Sequence, residues 1–180
     1  MNKKKKLIVQ VTLLIVILLV FAHLQHLFFS WESAYHHLEQ YEHFGPASEL
    51  HMLNDSDDRY ILAKYDRWIA IFLIYQQYGL FYRPGSMATP LEIQQDQEIS
   101  IQTGRAYFEE GQYIVYAYAK DPITVLKVDL TDGSSFTLEP LAEHIYFGHW
   151  PWAYREEEEK VVKVRGYDES GELVCEKKVE

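Results

Sequence analysis

The sequence predicts an N-terminal transmembrane helix, a juxtamembrane helix and then a mainly antiparallel β domain, with an immunoglobulin-like sandwich favoured. Three observations predict it. Four lysines precede a long apolar run; a Glu/His-striped amphipathic segment follows; and the remaining chain alternates short Tyr-, Ile- and Val-rich runs with Asp-Pro, Asp-Gly and other turn markers.

Residues 1–6, with Lys3 to Lys6, form a basic tail. The apolar run 7–22 would cover only about 24 Å as a helix, short of a hydrocarbon core of roughly 30 Å. Leu24, Leu27, Phe28 and Phe29 extend it, so the expected span is 7–29, with Trp31 and Tyr35 as interfacial aromatics. No Lys or Arg follows the run until Arg59. The positive-inside rule then places the N-terminus in the cytoplasm and the C-terminal domain outside, in a single-pass cell-membrane protein. A secreted protein cut near Ala22 is the alternative, since Val20-Phe21-Ala22 offers small residues where a signal peptidase needs them. The apolar character continues past that site without Gly or Pro, which favours retention. The only cysteine is Cys175, too far along the chain for an N-terminal lipid and unable to form an internal disulfide.

All 27 acidic residues follow the run, against thirteen basic ones, a balance of −14 with His neutral. A surface that negative repels nucleic acid, so no nucleic-acid partner is expected.

Residues 30–46 read as the juxtamembrane helix, ended by Gly45-Pro46. At about 100° per residue, Trp31, Ala34, Tyr35, Leu38 and Tyr41 gather on one side, facing either the membrane surface or the domain. Glu32, His36, Glu39 and His43 fall within about 60° of one another on a second side. Carboxylates and imidazoles at that spacing could hold a zinc-like ion or respond to mild acidification; otherwise they form a solvated face. Residues 47–58 are expected to be a polar linker. Its Asn54-Asp55-Ser56-Asp57-Asp58 cluster opens like a calcium loop, but Tyr60 stands at the sixth-position glycine, which rejects an EF-hand.

The β domain is expected over 59–180, with a hairpin-like part at 59–83 and a sandwich-like part at 98–180. Runs 59–65 and 68–75 read as strands around Asp66-Arg67, a long helix being the alternative, and Pro84-Gly85 ends this unit. A polar connection follows at 87–97. Further strands are expected at 113–119, 123–130, 135–139, 144–148, 161–167 and 173–177, with Asp132-Gly133 turning one hairpin and Asp168-Glu169-Ser170-Gly171 another.

The stretch Lys120-Asp121-Pro122-Ile123-Thr124-Val125-Leu126-Lys127-Val128, then Thr131-Asp132-Gly133, then Tyr146-Phe147-Gly148-His149-Trp150-Pro151 and Val164-Arg165-Gly166-Tyr167-Asp168-Glu169-Ser170-Gly171, resembles small uncharacterised single-pass envelope proteins of Gram-positive bacteria. The resemblance covers roughly the last sixty residues and the anchor. It implies a membrane-anchored β-rich extracytoplasmic module and carries no activity or catalytic residue.

Enzyme signatures are missing: there is no Gly-x-Ser-x-Gly, Ser-x-x-Lys, His-Glu-x-x-His, phosphate-binding or dinucleotide-binding motif. No cofactor is expected. The remaining binding candidate is Trp150, Trp152 and Tyr154 around Pro151, followed by the acidic run at 156–159. Such aromatics stack on sugars, anchor a protein contact or plug a sandwich end. Two functional readings follow. The first is a non-enzymatic, membrane-tethered envelope module that engages an envelope protein or wall glycan. The second is an accessory or sensor component that uses Glu32, His36, Glu39 and His43 to read pH or metal.

Overall fold

The computed structural model of the chain describes residues 3–55, 58–106, 112–151 and 160–179. Helix α1, Lys3–Leu24, leaves its side chains from 4 to 21 exposed all round. It has no apolar stripe to bury, because every face is apolar, and it is long and apolar enough to cross a membrane by length and composition. The helix stops short of the expected 7–29. His26 turns left-handed, at φ 52°, and the Leu27 N–H donates to the Ala22 carbonyl at 2.8 Å, the long-range bond of a Schellman cap. Leu27 and Ala22 are both buried, at the two positions where such a cap brings apolar side chains together. Phe28 then belongs to the β domain, since it exchanges two backbone hydrogen bonds of 2.8 Å with Tyr82.

Helix α2, Trp31–Tyr41, starts at Ser30, whose hydroxyl accepts from the Ser33 N–H at 3.2 Å. Its buried face is Ala34, Tyr35 and Leu38, packed on the domain rather than on a membrane surface. Tyr41 is not part of that face. It sits in the last turn and is 73% exposed.

The first sheet contains β1 (Ser48–Asp55), β2 (Asp58–Tyr65), β3 (Trp68–Gln77), β4 (Phe81–Met87) and β5 (Leu91–Glu92). Its order is β1-β2-β3-β4, with β5 pairing the start of β3 beyond the end of β4. The runs at 59–65 and 68–75 are strands, not a helix. The expected linker at 47–58 is corrected: most of it is β1. A register shift between Glu49 and His51 breaks its in-out alternation, and this disguises the strand in the sequence. Pro84-Gly85 also lies inside an element rather than ending one. Both residues belong to edge strand β4, opposite a shift between Phe72 and Ile74. A Cβ on Gly85 would come within 2.7 Å of the Leu73 carbonyl oxygen, so glycine permits this close pairing.

The second sheet contains β6 (Ile99–Ala106), β7 (Gln112–Ala119), β8 (Val125–Leu130), β9 (Ser135–Ala142), β10 (Ile145–Pro151), β11 (Val161–Tyr167) and β12 (Leu173–Lys178). Its order is β12-β11-β8-β9-β10-β7-β6, and every described pair in both sheets is antiparallel. This is not the strand order of an immunoglobulin-like sandwich. The second sheet curls until its two edges meet, Lys177 of β12 donating to the Ile99 carbonyl of β6 at 3.1 Å, which makes it nearly a barrel. Curling follows from burial: Val115, Ala117, Leu126, Val128 and Val164 are all fully buried inside the curl.

Strand β7 alternates between two cores. Val115 and Ala117 point into the curl, while Ile114 and Tyr116 face the first sheet. Strand β3 does the same one layer further out, with Ile69, Ile71 and Leu73 against the second sheet and Ala70, Phe72 and Ile74 against α2. Phe72 is the keystone of that outer layer, in edge contact with Tyr35 at 5.1 Å and Phe44 at 5.7 Å. Phe72→Ala is expected to lower stability by about 3–5 kcal/mol, read as a shifted urea midpoint in detergent-solubilised protein. A loss below about 1 kcal/mol would mean that α2 does not depend on this contact.

Candidate functional site

The sequence offers two candidate sites, and each is built by different elements. In the first, α2 carries Glu32, His36 and Glu39, and His43 follows in the left-handed turn after it, at φ 56°. His36 Nδ1 lies 3.2 Å from Glu39 Oε2, the former side chain 65% exposed and the latter 11%. Glu39 Oε1 accepts the Ala47 N–H at 2.6 Å. Residue 39 follows Tyr35 by one helical turn, so it borders the apolar face and its carboxylate is drawn beneath the Gly45-Pro46 turn. Glycine is needed there because a Cβ at 45 would meet Glu39 Oε1 at 2.6 Å. The carboxylate thus closes the connection from α2 to β1. Glu32 and His43 remain exposed. Among the described residues no group of three or more His, Cys, Asp or Glu side chains is placed to hold a metal ion.

The second candidate lies at one end of the curled sheet. The last residues of β6, the first of β7, the last of β10 and the first of β11 converge there, with Thr131 beyond β8 and Val179 beyond β12. A cleft of about 420 Å³ opens between them, lined by Thr103, Gly104, Tyr113, Thr131, Lys160 and Val161, among others. Backbone bonds fix its rim. The Thr131 N–H donates to the Lys160 carbonyl at 3.0 Å, the Lys160 N–H donates to the Thr131 hydroxyl at 3.2 Å, and the Val179 N–H donates to the Val162 carbonyl at 3.0 Å. Trp150 pairs in register with Tyr113, which places it on the strand bordering the cleft. Its side chain, and all of Trp152 and Tyr154, lie outside the described residues. Both connections from this end, 107–111 and 152–159, do so too. The lining combines Val161, Val162 and Val179 with threonine, tyrosine and lysine side chains, group types that hydrogen-bond a polyol or a peptide backbone.

No protein-family model matches this chain, and neither does any curated protein or solved structure.

Cys175 and the two histidines of this half of the chain, His144 and His149, sit among different neighbours. Cys175 packs towards the interior of the curl, and its pKa is pushed up by burial and by the nearby Glu98, which disfavours the thiolate. His149 faces the other way, its ring 5.0 Å from Tyr60 of the first sheet. His144 lies beside Tyr118, Asp121 and Glu143.

Thr103, Gly104, Thr131, Lys160 and Val161 carry no signal in the sequence, because only the strand order brings them to one rim. The structural role of Glu39 was partly legible, since i+4 spacing from a buried tyrosine places it at the edge of the apolar face. Glu39→Ala is expected to cost about 2 kcal/mol, the loss of a charge-assisted bond to a backbone N–H. His36→Ala should cost less than about 0.5 kcal/mol, as for an exposed pair. Paired urea titrations check both, and equal costs would contradict the assignment.

Proposed function

We propose that the chain is a non-enzymatic, single-pass membrane protein of the cell envelope that holds its β domain outside the bilayer as an interaction module. Its N-terminus is cytoplasmic. The observation that carries this reading is the bare helix: α1 exposes large apolar side chains on all sides, yet two residues beyond its cap the chain is already hydrogen-bonded into the first sheet. So much apolar surface needs lipid around it. The lysines at its start supply the orientation. Retention is favoured over cleavage because Ala22 is buried within the last helical turn, its carbonyl accepting the Leu27 N–H.

The face that meets a partner is the end of the curled sheet where β10 finishes with Trp150 and Pro151, and in the sequence Trp152 and Tyr154 come next. The cleft's hydroxyls and amine, together with those aromatics, suit an envelope protein or a wall glycan. The acidic balance beyond the span disfavours nucleic acid.

The double variant Trp150→Ala, Trp152→Ala tests it. Crosslinked capture of an envelope partner by the full-length protein should fall about 30-fold or more, as for loss of binding hot spots, with the melting temperature unchanged. A large drop in melting temperature with capture retained would make the aromatics a plug instead.

A further inference from the structure

The turn between β3 and β4 has an unusual composition for a hairpin tip. It runs Gln77-Tyr78-Gly79-Leu80, closed by the Leu80 N–H to the Gln77 carbonyl at 3.4 Å. Tyr78 stands at φ 55° and Gly79 at φ 68°. Turns of this kind favour Asn, Asp or Gly at both central positions, and a bulky aromatic there is held against its backbone preference. Tyr78 is 75% exposed and Leu80 73%. Burial therefore does not account for either side chain. A strained, exposed aromatic beside an exposed leucine is a reason to look for function.

What lies beside the tip is the exit of α1. The six-residue cap returns Leu27 to the level of the last helical turn, and Phe29 is only two residues further, at most about 7 Å. Phe28 is bridged to Tyr82, and the Phe29 ring lies 5.2 Å from the Phe81 ring, Phe29 itself being 68% exposed. Helix exit and hairpin thus meet at Phe29 and Phe81, and exposed apolar side chains flank that contact on both segments: Leu24 and Phe29 on one, Tyr78 and Leu80 on the other. No residue from 76 to 82 is charged. Basic groups border it, with Arg83 next along β4 and the Arg59 guanidinium 4.9 Å from the Tyr82 ring centre and 5.8 Å from that of Trp31. Apolar and tyrosine side chains rimmed by guanidinium groups match the headgroup zone, which extends only about 5–8 Å beyond each side of the hydrocarbon core.

The geometry points to a second membrane contact: the β3–β4 tip, through Tyr78 and Leu80, dips into the bilayer interface beside α1 and fixes the tilt of the domain on the membrane. This rests on the reading of α1 as a retained anchor. The contact of the hairpin with the chain leaving that helix, through Phe28–Tyr82 and Phe29–Phe81, is the reason to assign lipid rather than a protein partner to the tip.

The test uses full-length protein with Cys175→Ser in phosphatidylcholine nanodiscs, carrying a spin label through Leu14→Cys, Leu80→Cys or Ser170→Cys. The Leu80 side chain is exposed, so labelling it leaves the core intact. Depth is read from relaxation by oxygen against a water-soluble nickel complex. The expected result is a hydrocarbon-like ratio at residue 14, a ratio at residue 80 several-fold above that at residue 170, and a water-like value at residue 170. A hydrocarbon-like residue 14 with a water-like residue 80 overturns the second contact and leaves the anchor standing. A water-like residue 14 overturns both.

Discussion

Strand β3 leaves no face for water. Residues 69 to 74 are each at most 1% exposed, so both sides of the first sheet must be covered. The second sheet covers one side through Ile114, Tyr116 and Phe147, and the other is covered by Tyr35 and Leu38 of α2 with Phe44 just after it. Continuous apolar runs of this kind are ordinarily met in sheets buried between layers, whereas an open antiparallel hairpin alternates with polar residues. Because α2 is needed as a lid, the chain between α1 and α2 must stay close to the sheet edge. The Phe28 bridge to β4 follows from that requirement. An apolar helix is thereby joined to a layered domain with almost no slack.

The layering also decides what the curled second sheet can do. Its outer wall is committed to the first sheet along β7 and β10, and its interior is filled by Val115, Ala117, Leu126 and Val128. A filled curl is a packed core, not a pore. The cleft lies instead at the end where β6, β7, β10 and β11 meet. That is where β10 ends, at Pro151.

Much of the fold was legible from local pattern. The strand runs at 113–119 and 123–130 and the turns at Asp66-Arg67, Asp132-Gly133 and 168–171 correspond to β7, β8, which starts two residues later at Val125, and the hairpins β2–β3, β8–β9 and β11–β12. Strand β1 was hidden because its register shift at Glu49 and His51 breaks the two-residue period. Strand β6 was hidden because Gln102, Thr103, Gly104 and Arg105 look like connection chemistry until β7 pairs with them. Sheet order was out of reach altogether, since the joins of β11 to β8 and β10 to β7 are made across long stretches of chain. The cleft shares that fate. Four of its lining residues, Thr103, Thr131, Lys160 and Val179, meet only after those long-range pairings form. The helical periodicity of 31–44 put Ala34, Tyr35 and Leu38 on the buried face, but it also put the exposed Tyr41 there, and it could not foresee that the Glu39 carboxylate would be buried and taken by the Ala47 N–H.

The direct coupling of helix and domain is the point on which the rest turns, and amide hydrogen exchange of the bilayer-embedded protein tests it most directly. The Phe28 and Tyr82 amides, each in a 2.8 Å bond to the other residue's carbonyl, should be protected and should open together, with protection comparable to that of β3. Phe28 exchanging at the rate of an unstructured peptide, while β3 stays protected, would contradict the account and make 25–30 a loose tether.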